Sequence, residues 1–330
     1  MPSISGLIKD IVPGELHEIQ GMKIRNITGR PIGQLLSFLP HDIRIDEAVF
    51  LPDMCPGRSA LPTGTVVQTK DPRWHRLAVS DCGCGMQLVR ADLTHQDFDS
   101  KRHLWDELGN RLKRHKGGLG DLGGGNHFLD ALAPYDSTQP VHFLIHTGSR
   151  LESGLVDHLV NTPSDFKREF SRVVGWARDN RDKVRDTIQS VFGPLELVVD
   201  LPHNTFEERT DGSVIIRKGV VHSKPGTLSI LPSHMTGDVS LIRAGDGVVH
   251  TLESLCHGTG RSLSRGEARN LNIDTTDIRK RVYIPDYIQD SSLRTEGPHA
   301  YRSLAECQSL LGNLASEVDR FAVIAYLGHL

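Results

Sequence analysis

Residues 256–265 read CHGTGRSLSR, so a histidine stands at the mouth of a glycine-rich turn and two arginines follow it. Glycine lets the backbone come close to a bound group and present its N–H donors. Arginine supplies a rigid fork of donors that matches phosphate, and a neutral imidazole at such a turn can attack phosphorus. Taken alone, the segment is more often a glycine-rich surface loop that holds a solvated histidine.

Four segments upstream of this turn share one arrangement, in which a strand-like run ends in polar side chains beside glycine or proline. These polar groups are Asp81 with Cys84, Asn126 with His127, His146, and His203 with Asn204. Sites are usually built where the strands of a rigid sheet end, so the repetition predicts that the groups converge. A single such histidine, or an isolated DxxC, is more often structural.

The convergent groups would supply three imidazoles, one thiolate and one carboxylate. They could fill one closed metal site, which usually holds structural zinc. They could also form two open sites that share the thiolate, an arrangement that suits phosphoryl chemistry. The residues alone leave both possibilities open.

The rest of the chain shows no internal repeat or linker, which predicts one α+β domain over residues 1–330, with central sheets flanked by helices. The predicted strands are 21–29, 76–80, 87–91, 141–150, 195–204, 213–219, 239–247 and 319–330. The predicted helices are 32–39, 99–116 with Asp99 or Ser100 as its cap, Thr162 to Gly193, and one from about 304 after the pair Ser303 and Glu306. Residues 50–69 are dense in proline and glycine and are predicted to be a structured loop.

Composition limits the classes of function. The net charge of −3 gives no global basic field, so nucleic acid would have to bind a local patch, and residues 111–116 are the strongest basic stretch. The five cysteines form no even framework, which indicates reduced thiols in a cytosolic protein. No apolar run approaches the length of a membrane span and no signal peptide is evident, so we expect a cytoplasmic protein without membrane contact.

Six ordered motifs resemble those of the RtcB RNA ligases, from about Leu51 to the C-terminus. They are DCGCGM (81–86), GDLGGGNHF (120–128), HTGSR (146–150), HN (203–204), RKG (217–219) and CHGTGRSLSR (256–265). The resemblance implies an RNA ligase of tRNA splicing or RNA repair that uses GTP and two Mn²⁺. It would join RNA 3′-phosphate or 2′,3′-cyclic phosphate ends to 5′-hydroxyl ends, and an archease-like protein could activate it.

The resemblance also implies a role for individual residues. His257 would be the catalytic nucleophile that becomes guanylated. The ligands of the two metal ions would be Asp81, Cys84, His127, His146 and His203, with the thiolate bridging. The nucleotide-binding residues would be Asn126, Asp130, Asn204, Met235, Gly258, Thr259, Gly260 and Tyr301. Phosphate or RNA contacts would come from Arg150, Lys218 and Arg261.

The chain departs from the family's pattern mainly where the purine is read. Asp130 stands where the family usually has glutamate, His234 lies in an altered loop, and the near-terminal lysine has no counterpart. Elsewhere, Cys55 replaces a histidine and the segment between Cys84 and Asn126 is short. We therefore expect a compact, divergent member with a weaker preference for GTP over ATP. A metal-dependent cyclic phosphodiesterase or nucleotidyltransferase with relaxed nucleotide specificity, and a non-catalytic RNA-binding relative, remain alternatives.

Overall fold

Two large β-sheets and eight α-helices make up the part of the chain that the structure describes. This computed structural model describes residues 13–57, 59–77, 79–136, 138–149, 163–328 and 330. The α+β class predicted from the sequence is confirmed. Among these residues, no helix combines the length and the apolar character needed to cross a membrane.

The strands are β1 (Glu15–Ile19), β2 (Met22–Asn26), β3 (Glu47–Cys55), β4 (Thr63–Thr69), β5 (Gly85–Ala91), β6 (Phe128–Pro134), β7 (His142–Thr147), β8 (Leu195–Pro202), β9 (Asn204–Glu208), β10 (Val214–Lys218), β11 (Val220–His222), β12 (Leu228–Pro232), β13 (Asp238–Ala244), β14 (Ser254–Cys256) and β15 (Ala315–Gly328). The helices are α1 (Ile32–Leu36), α2 (His95–Ser100), α3 (His103–Lys113), α4 (Pro163–Phe192), α5 (Arg265–Asn270), α6 (Thr276–Arg281), α7 (Asp290–Glu296) and α8 (Leu304–Leu311).

The larger sheet has seven strands in the order β12-β13-β15-β6-β7-β5-β8, and every neighbouring pair in it is antiparallel. The second sheet has six strands in the order β1-β2-β3-β4-β10-β9, and only its β2–β3 pair is parallel. Strands β11 and β14 form a separate short pair. Because β14 ends at Cys256, this pair delivers the chain directly to His257.

Helix α4 joins the cores of the two sheets. In its first half, Phe166, Phe170 and Val173 are buried in an apolar cluster with side chains of the six-stranded sheet. In its second half, Val184 and Ile188 are buried with side chains of the seven-stranded sheet. Side chains that recur every three or four residues lie on one helical face, and full burial of each stabilises the fold by about 1.5–3 kcal/mol.

Residues 50–69 correct one prediction, since they contain the end of β3 and the start of β4 where a structured loop was expected. Strand β3 lies inside its sheet and is almost fully buried. Its pairing with β4 shifts register between Phe50 and Cys55, and Pro52 lies within that irregularity. Proline is tolerated at such a bulge because its missing N–H leaves no gap in the hydrogen-bond ladder.

Residues 76–80 correct a second prediction, since Trp74–Leu77 form a 3₁₀ turn and not a strand. Leu77 and Val79 are buried in the apolar cluster that also contains the first half of α4. The alternating apolar residues of this segment therefore reflect the packing of a turn and not a strand. The predicted helix 99–116 is in fact two helices, α2 and α3. Thr94, and neither Asp99 nor Ser100, caps α2 through a capping box with Asp97.

The remaining predicted elements are confirmed within one or a few residues. They correspond to β2, β5, β7, β8, β10, β13, β15, α1, α4 and α8. The start of α4 agrees with Pro163, whereas Thr162 lies outside the described residues. Helix α8 begins as expected, because the Ser303 hydroxyl accepts a hydrogen bond from the Glu306 N–H at 3.2 Å.

Candidate active site

Four of the predicted metal ligands lie at one edge of the seven-stranded sheet. Phe128 pairs with His146, and Gly85 pairs with both Thr147 and Pro202. In an antiparallel sheet, the start of one strand lies beside the end of its neighbour. The expectation that every ligand follows a strand is therefore corrected, because Cys84 and His127 precede β5 and β6.

Five donor atoms meet at this edge. The Cys84 Sγ lies 3.4 Å from Nε2 of both His127 and His146, and Nε2 of His146 lies 3.3 Å from Nε2 of His203. An Asp81 carboxylate oxygen lies 3.0 Å from Nε2 of His127. All five residues predicted to bind metal are thus brought together.

The five donors divide into two groups that share one residue. One group is Cys84, His146 and His203, the other is Asp81, Cys84 and His127, and the ligand atoms in each lie within 4.8 Å of one another. A thiolate common to both groups has the arrangement expected of a bridging ligand. Nitrogen, sulfur and carboxylate donors together suit a first-row transition metal, so these residues fit the two manganese ions that the resemblance implies.

The imidazoles of His146 and His203 are held neutral by their surroundings. Burial lowers the pKa of His146 and of His203 well below the ordinary histidine value, and nearby histidines lower it further. A neutral imidazole keeps the lone pair that a metal ion requires.

Two glycines allow the backbone to approach these ligands closely. A Cβ atom on Gly148 would lie 2.3 Å from an Asp81 carboxylate oxygen, and one on Gly123 would lie 2.5 Å from Nδ1 of His127. Asp81 itself has a positive φ of 57°, which a non-glycine residue rarely adopts. The Ser149 N–H holds this conformation by donating to the Asp81 carboxylate at 2.7 Å.

Helix α4 supports the loops that carry the ligands, a role that the sequence did not predict. Arg181 donates to the Gly83 carbonyl oxygen at 2.8 Å and pairs with Asp200 at 2.9 Å. Asn180 accepts from the Gly120 N–H at 2.7 Å and donates to Thr147 Oγ1 at 3.0 Å. The available signal was a polar pair, Asn180 and Arg181, among the mainly apolar residues of the buried face of this amphipathic helix.

The imidazole of His257 is oriented by a buried carboxylate. Asp53, which is fully buried, accepts hydrogen bonds from His257 Nδ1 at 2.7 Å and from the His257 backbone N–H at 3.3 Å. With Nδ1 as the donor, Nε2 carries the free lone pair. The His257 ring centroid lies 4.4 Å from that of His203, so this lone pair belongs to the same site as the donor groups.

The sequence analysis assigned no role to Asp53, which lies within residues 50–69, two positions before Cys55. The HGTGR turn packs directly on it, because a Cβ atom on Gly260 would lie 2.6 Å from the Asp53 backbone. Gly260 also has a positive φ of 76°. The turn therefore requires glycine there both for its conformation and for this contact.

Two cavities meet at His257 and Asn126. The smaller has a volume of about 220 Å³ and is lined by side chains that include Phe128, Asp130, Met235, Tyr301 and Tyr326. The larger is an open groove of about 1430 Å³ whose lining includes Asp81, Cys84, His203 and Lys218. Gly258, Thr259 and Gly260 also line the small cavity, so seven of the eight residues predicted to bind nucleotide surround it.

The family model described as "tRNA-splicing ligase RtcB" matches residues 164–327. The RNA-splicing ligase RtcB2 of Escherichia coli (strain ATCC 25922) is 26% identical over 328 aligned residues, which cover 81% of this chain and 84% of that protein. The RNA-splicing ligase RtcB of Escherichia coli K12 is 23% identical, with 77% and 83% covered, and the tRNA-splicing ligase RtcB of Nanoarchaeum equitans is 28% identical, with 67% and 62% covered.

The chain is similar to the RtcB ligases over most of its length. Three residues with predicted ligand contacts, Asn204, Arg261 and Lys218, are already bonded to the protein. The Asn204 amide donates to the Ser80 and Asp81 carbonyl oxygens at 3.2 and 2.9 Å and accepts from the Gly219 N–H at 2.8 Å. Asn204 lines the groove but holds the Asp81 turn, so its contact with a nucleotide remains a prediction.

Arg261 borders both cavities, yet its guanidinium is bonded to Glu296 at 3.0 Å and to the Thr295 carbonyl oxygen at 2.7 Å. Lys218 donates to the Ser80 carbonyl oxygen at 2.8 Å and also lines the groove. Both cations therefore contribute charge to the walls of the site, and their direct contact with phosphate remains a prediction. Arg150 lies outside the described residues.

Asp130 and His234, two of the positions at which the resemblance implies an altered purine site, border the small cavity. Asp130 is 3% exposed, burial raises its pKa well above the ordinary value, and its Oδ1 has no hydrogen-bond partner among the described residues. Burial lowers the pKa of His234 to about 4. Burial therefore favours the uncharged form of both groups in this cavity.

Proposed function

We propose that the chain is an RNA ligase that uses GTP and Mn²⁺ to join RNA 3′-phosphate or 2′,3′-cyclic phosphate ends to 5′-hydroxyl ends. The observation that carries this proposal is the position of His257. Its imidazole is oriented by Asp53 where a small cavity and an open groove meet, beside the cluster of five donors. At this position the nucleophile His257 could reach both a nucleotide in the small cavity and an RNA end in the groove. We place this activity in one catalytic domain over residues 1–330.

In the proposed reaction, Nε2 of His257 attacks the α-phosphorus of GTP, an N–P bond forms, and pyrophosphate leaves. The imidazole gains positive charge as the bond forms, and the buried Asp53 carboxylate at 2.7 Å stabilises that charge. The RNA 3′-phosphate, formed from the cyclic phosphate where necessary, then accepts the guanylate. Finally, the 5′-hydroxyl oxygen attacks this activated phosphate and GMP leaves.

The residues Asp81, Cys84, His127, His146 and His203 would hold the two metal ions. When bound, these would supply positive charge to the phosphate oxygens during each transfer. Gly148 and Gly123 leave the space that Asp81 and His127 occupy in this arrangement.

The two cavities support a division of substrates. The small cavity has aromatic walls in Phe128, Tyr301 and Tyr326, on which a nucleobase can stack. The groove has more positive than negative side chains. Its cations are Arg30, Arg76, Lys218, Arg261 and Arg265, and its acids are Asp81 and Glu267. A basic groove that meets the nucleophile suits the phosphate backbone of RNA.

A second candidate is a metal-dependent cyclic phosphodiesterase or nucleotidyltransferase with relaxed nucleotide specificity. The burial of Asp130 favours this candidate, because burial raises the pKa of the carboxyl, and a protonated carboxyl both donates and accepts and does not select guanine as a carboxylate would. An archease-like activator stays a prediction from the resemblance.

The test is incubation with α-³²P-labelled GTP and Mn²⁺, followed by detection of label on the protein. We expect an acid-labile, base-stable adduct, as a phosphoramidate is, that disappears in His257→Ala while the metal content is unchanged. An adduct that persists in His257→Ala, or that resists acid, would contradict the proposal. Opening of a cyclic phosphate without any adduct would support the second candidate.

A further inference from the structure

Arg30 is repelled by the charge of a second arginine, Arg302, and forms no ion pair with a carboxylate among the described residues. The Arg30 guanidinium is half-buried and contacts the Met54 Sδ at 3.8 Å, and Arg302 is buried and donates to the Pro52 carbonyl oxygen. Neither guanidinium forms an ion pair with a carboxylate in the part of the chain that the structure describes. Burial lowers the pKa of Arg30, and the neighbouring Arg302 cation lowers it further. Two cations that repel each other and have no ion-pair partner among the described residues create a potential that favours a bound anion.

The backbone of Arg30 is held in place on both sides. The Thr28 hydroxyl accepts from the Arg30 N–H at 3.0 Å, and the Asn26 side chain donates to the Arg30 carbonyl oxygen at 2.8 Å. Asn26 and Thr28 are themselves buried and hydrogen-bonded to each other at 2.8 Å. A side chain that leaves such a rigid turn is preorganised for binding.

Arg30 borders the same open groove as His257. The groove, with its volume of about 1430 Å³, exceeds the usual range of about 300–1,000 Å³ for small-molecule pockets. Gln34 and Ser59 also line it and can donate hydrogen bonds. A small free anion would not need such a groove, whereas a strand with repeated phosphates would occupy it.

We propose that Arg30 binds a backbone phosphate of the RNA strand whose end reacts at His257. The inference rests on the proposed function, since it takes RNA as the occupant of the groove. The guanidinium fork would contact two oxygens of one phosphodiester, which carries no sequence information. Arg30 is therefore a positioning residue for the strand and not a catalytic one.

The test is the binding of a fluorescein-labelled single-stranded RNA with a 3′-phosphate, measured at several KCl concentrations. Arg30→Gln removes the charge, Arg30→Lys retains it, and Arg44→Gln is the matched control. Arg44 has an 81% exposed side chain, pairs with Asp46 and does not line the groove. For Arg30→Gln we expect about tenfold weaker binding at low salt and a slope of log K against log[salt] that is less steep by about 0.7.

Arg30→Lys should keep the wild-type slope with weaker binding, and Arg44→Gln should behave as wild type. Equal losses for Arg30→Gln and Arg44→Gln, or no loss for either, would overturn the proposal. If Arg30→Gln does not fold, modification of the wild-type protein with phenylglyoxal gives the answer. RNA should then protect Arg30 but not Arg44, and equal modification with and without RNA would overturn the proposal.

GTP labelling of the wild-type protein separates this inference from the proposed function. If the wild-type protein binds RNA through Arg30 but forms no adduct, the ligase proposal is contradicted and the phosphate-binding role of Arg30 still holds. Wild type that forms the adduct while Arg30→Gln binds RNA normally would remove only the subsite.

Discussion

The contact between Asp53 and His257 yields the sharpest prediction, which concerns Asp53→Asn. The carboxylate is fully buried and lies 2.7 Å from His257 Nδ1. At an effective dielectric constant of about 20, a unit charge at that distance would stabilise the developing imidazolium by about 6 kcal/mol. The dipole of the asparagine amide would restore part of this stabilisation of the imidazolium. We therefore expect a net loss of about 4 kcal/mol, which corresponds to about 10³-fold slower adduct formation.

The tautomer provides a second reason for the loss. If the asparagine presents its NH₂ group to Nδ1, the imidazole proton moves to Nε2 and blocks the lone pair that must attack. In Ser-His-Asp triads the same exchange lowers kcat by about 10⁴-fold for this reason. The substitution keeps the side-chain volume, and the Asp53 Oδ1 has no partner among the described residues, so we expect the fold to persist.

The assay is the single-turnover rate of labelling with α-³²P-GTP, with metal content and thermal unfolding measured on the same preparation. Asp277→Asn is the matched control, because Asp277 is 74% exposed and pairs only weakly with Lys280 at 3.4 Å. A wild-type labelling rate in Asp53→Asn would refute the reasoning. A loss of label accompanied by loss of metal would also refute it, since the effect would then arise at the donor cluster.

Four further predictions concern the same site. Cys84→Ala should remove both metal ions, because Cys84 belongs to both donor groups, and metal analysis that finds full metal or one retained ion would contradict a shared thiolate. By the Irving–Williams order Zn²⁺ should also bind these donors more tightly than Mn²⁺ and inhibit labelling. Unlabelled ATP should compete with labelled GTP for the adduct, because the Asp130 side chain is short and burial favours its protonated form. Asp130→Glu should restore some preference for GTP, and failure of a large excess of ATP to compete would disprove this. Finally, burial lowers the pKa of His234 to about 4. Below about pH 6.5 the unfolded chain therefore binds a proton at this histidine that the folded chain does not. As a result, the free energy of unfolding falls as the pH decreases towards 4. Urea unfolding should be measured at pH 7 and pH 4.5. Between these pH values the free energy of unfolding should fall by about 2 kcal/mol less in His234→Gln than in wild type, and equal decreases would contradict the lowered pKa of His234.

Local sequence patterns were sufficient for much of the fold and the site. Runs of β-branched residues predicted β7, β10 and β15, and apolar spacing predicted α4, because these signals depend on residues close together in sequence. The order of the motifs likewise indicated that Asp81, Cys84, His127, His146 and His203 belong to one site. Local signals failed at residues 50–69, where burial inside a sheet and a bulge at Pro52 overrode the turn-forming composition.

By itself, the sequence determined the residue types of the site and the α+β class, since both are carried by short segments. Only the tertiary structure decided which groups touch. Asp53 and His257 are 204 residues apart and meet because the HGTGR turn packs on the β3 backbone. Antiparallel register placed the starts of β5 and β6 beside the ends of β7 and β8, and the fold brought Arg30 to the wall of the groove that His257 also lines. Such long-range contacts depend on how whole elements pack, which no local pattern of residues encodes.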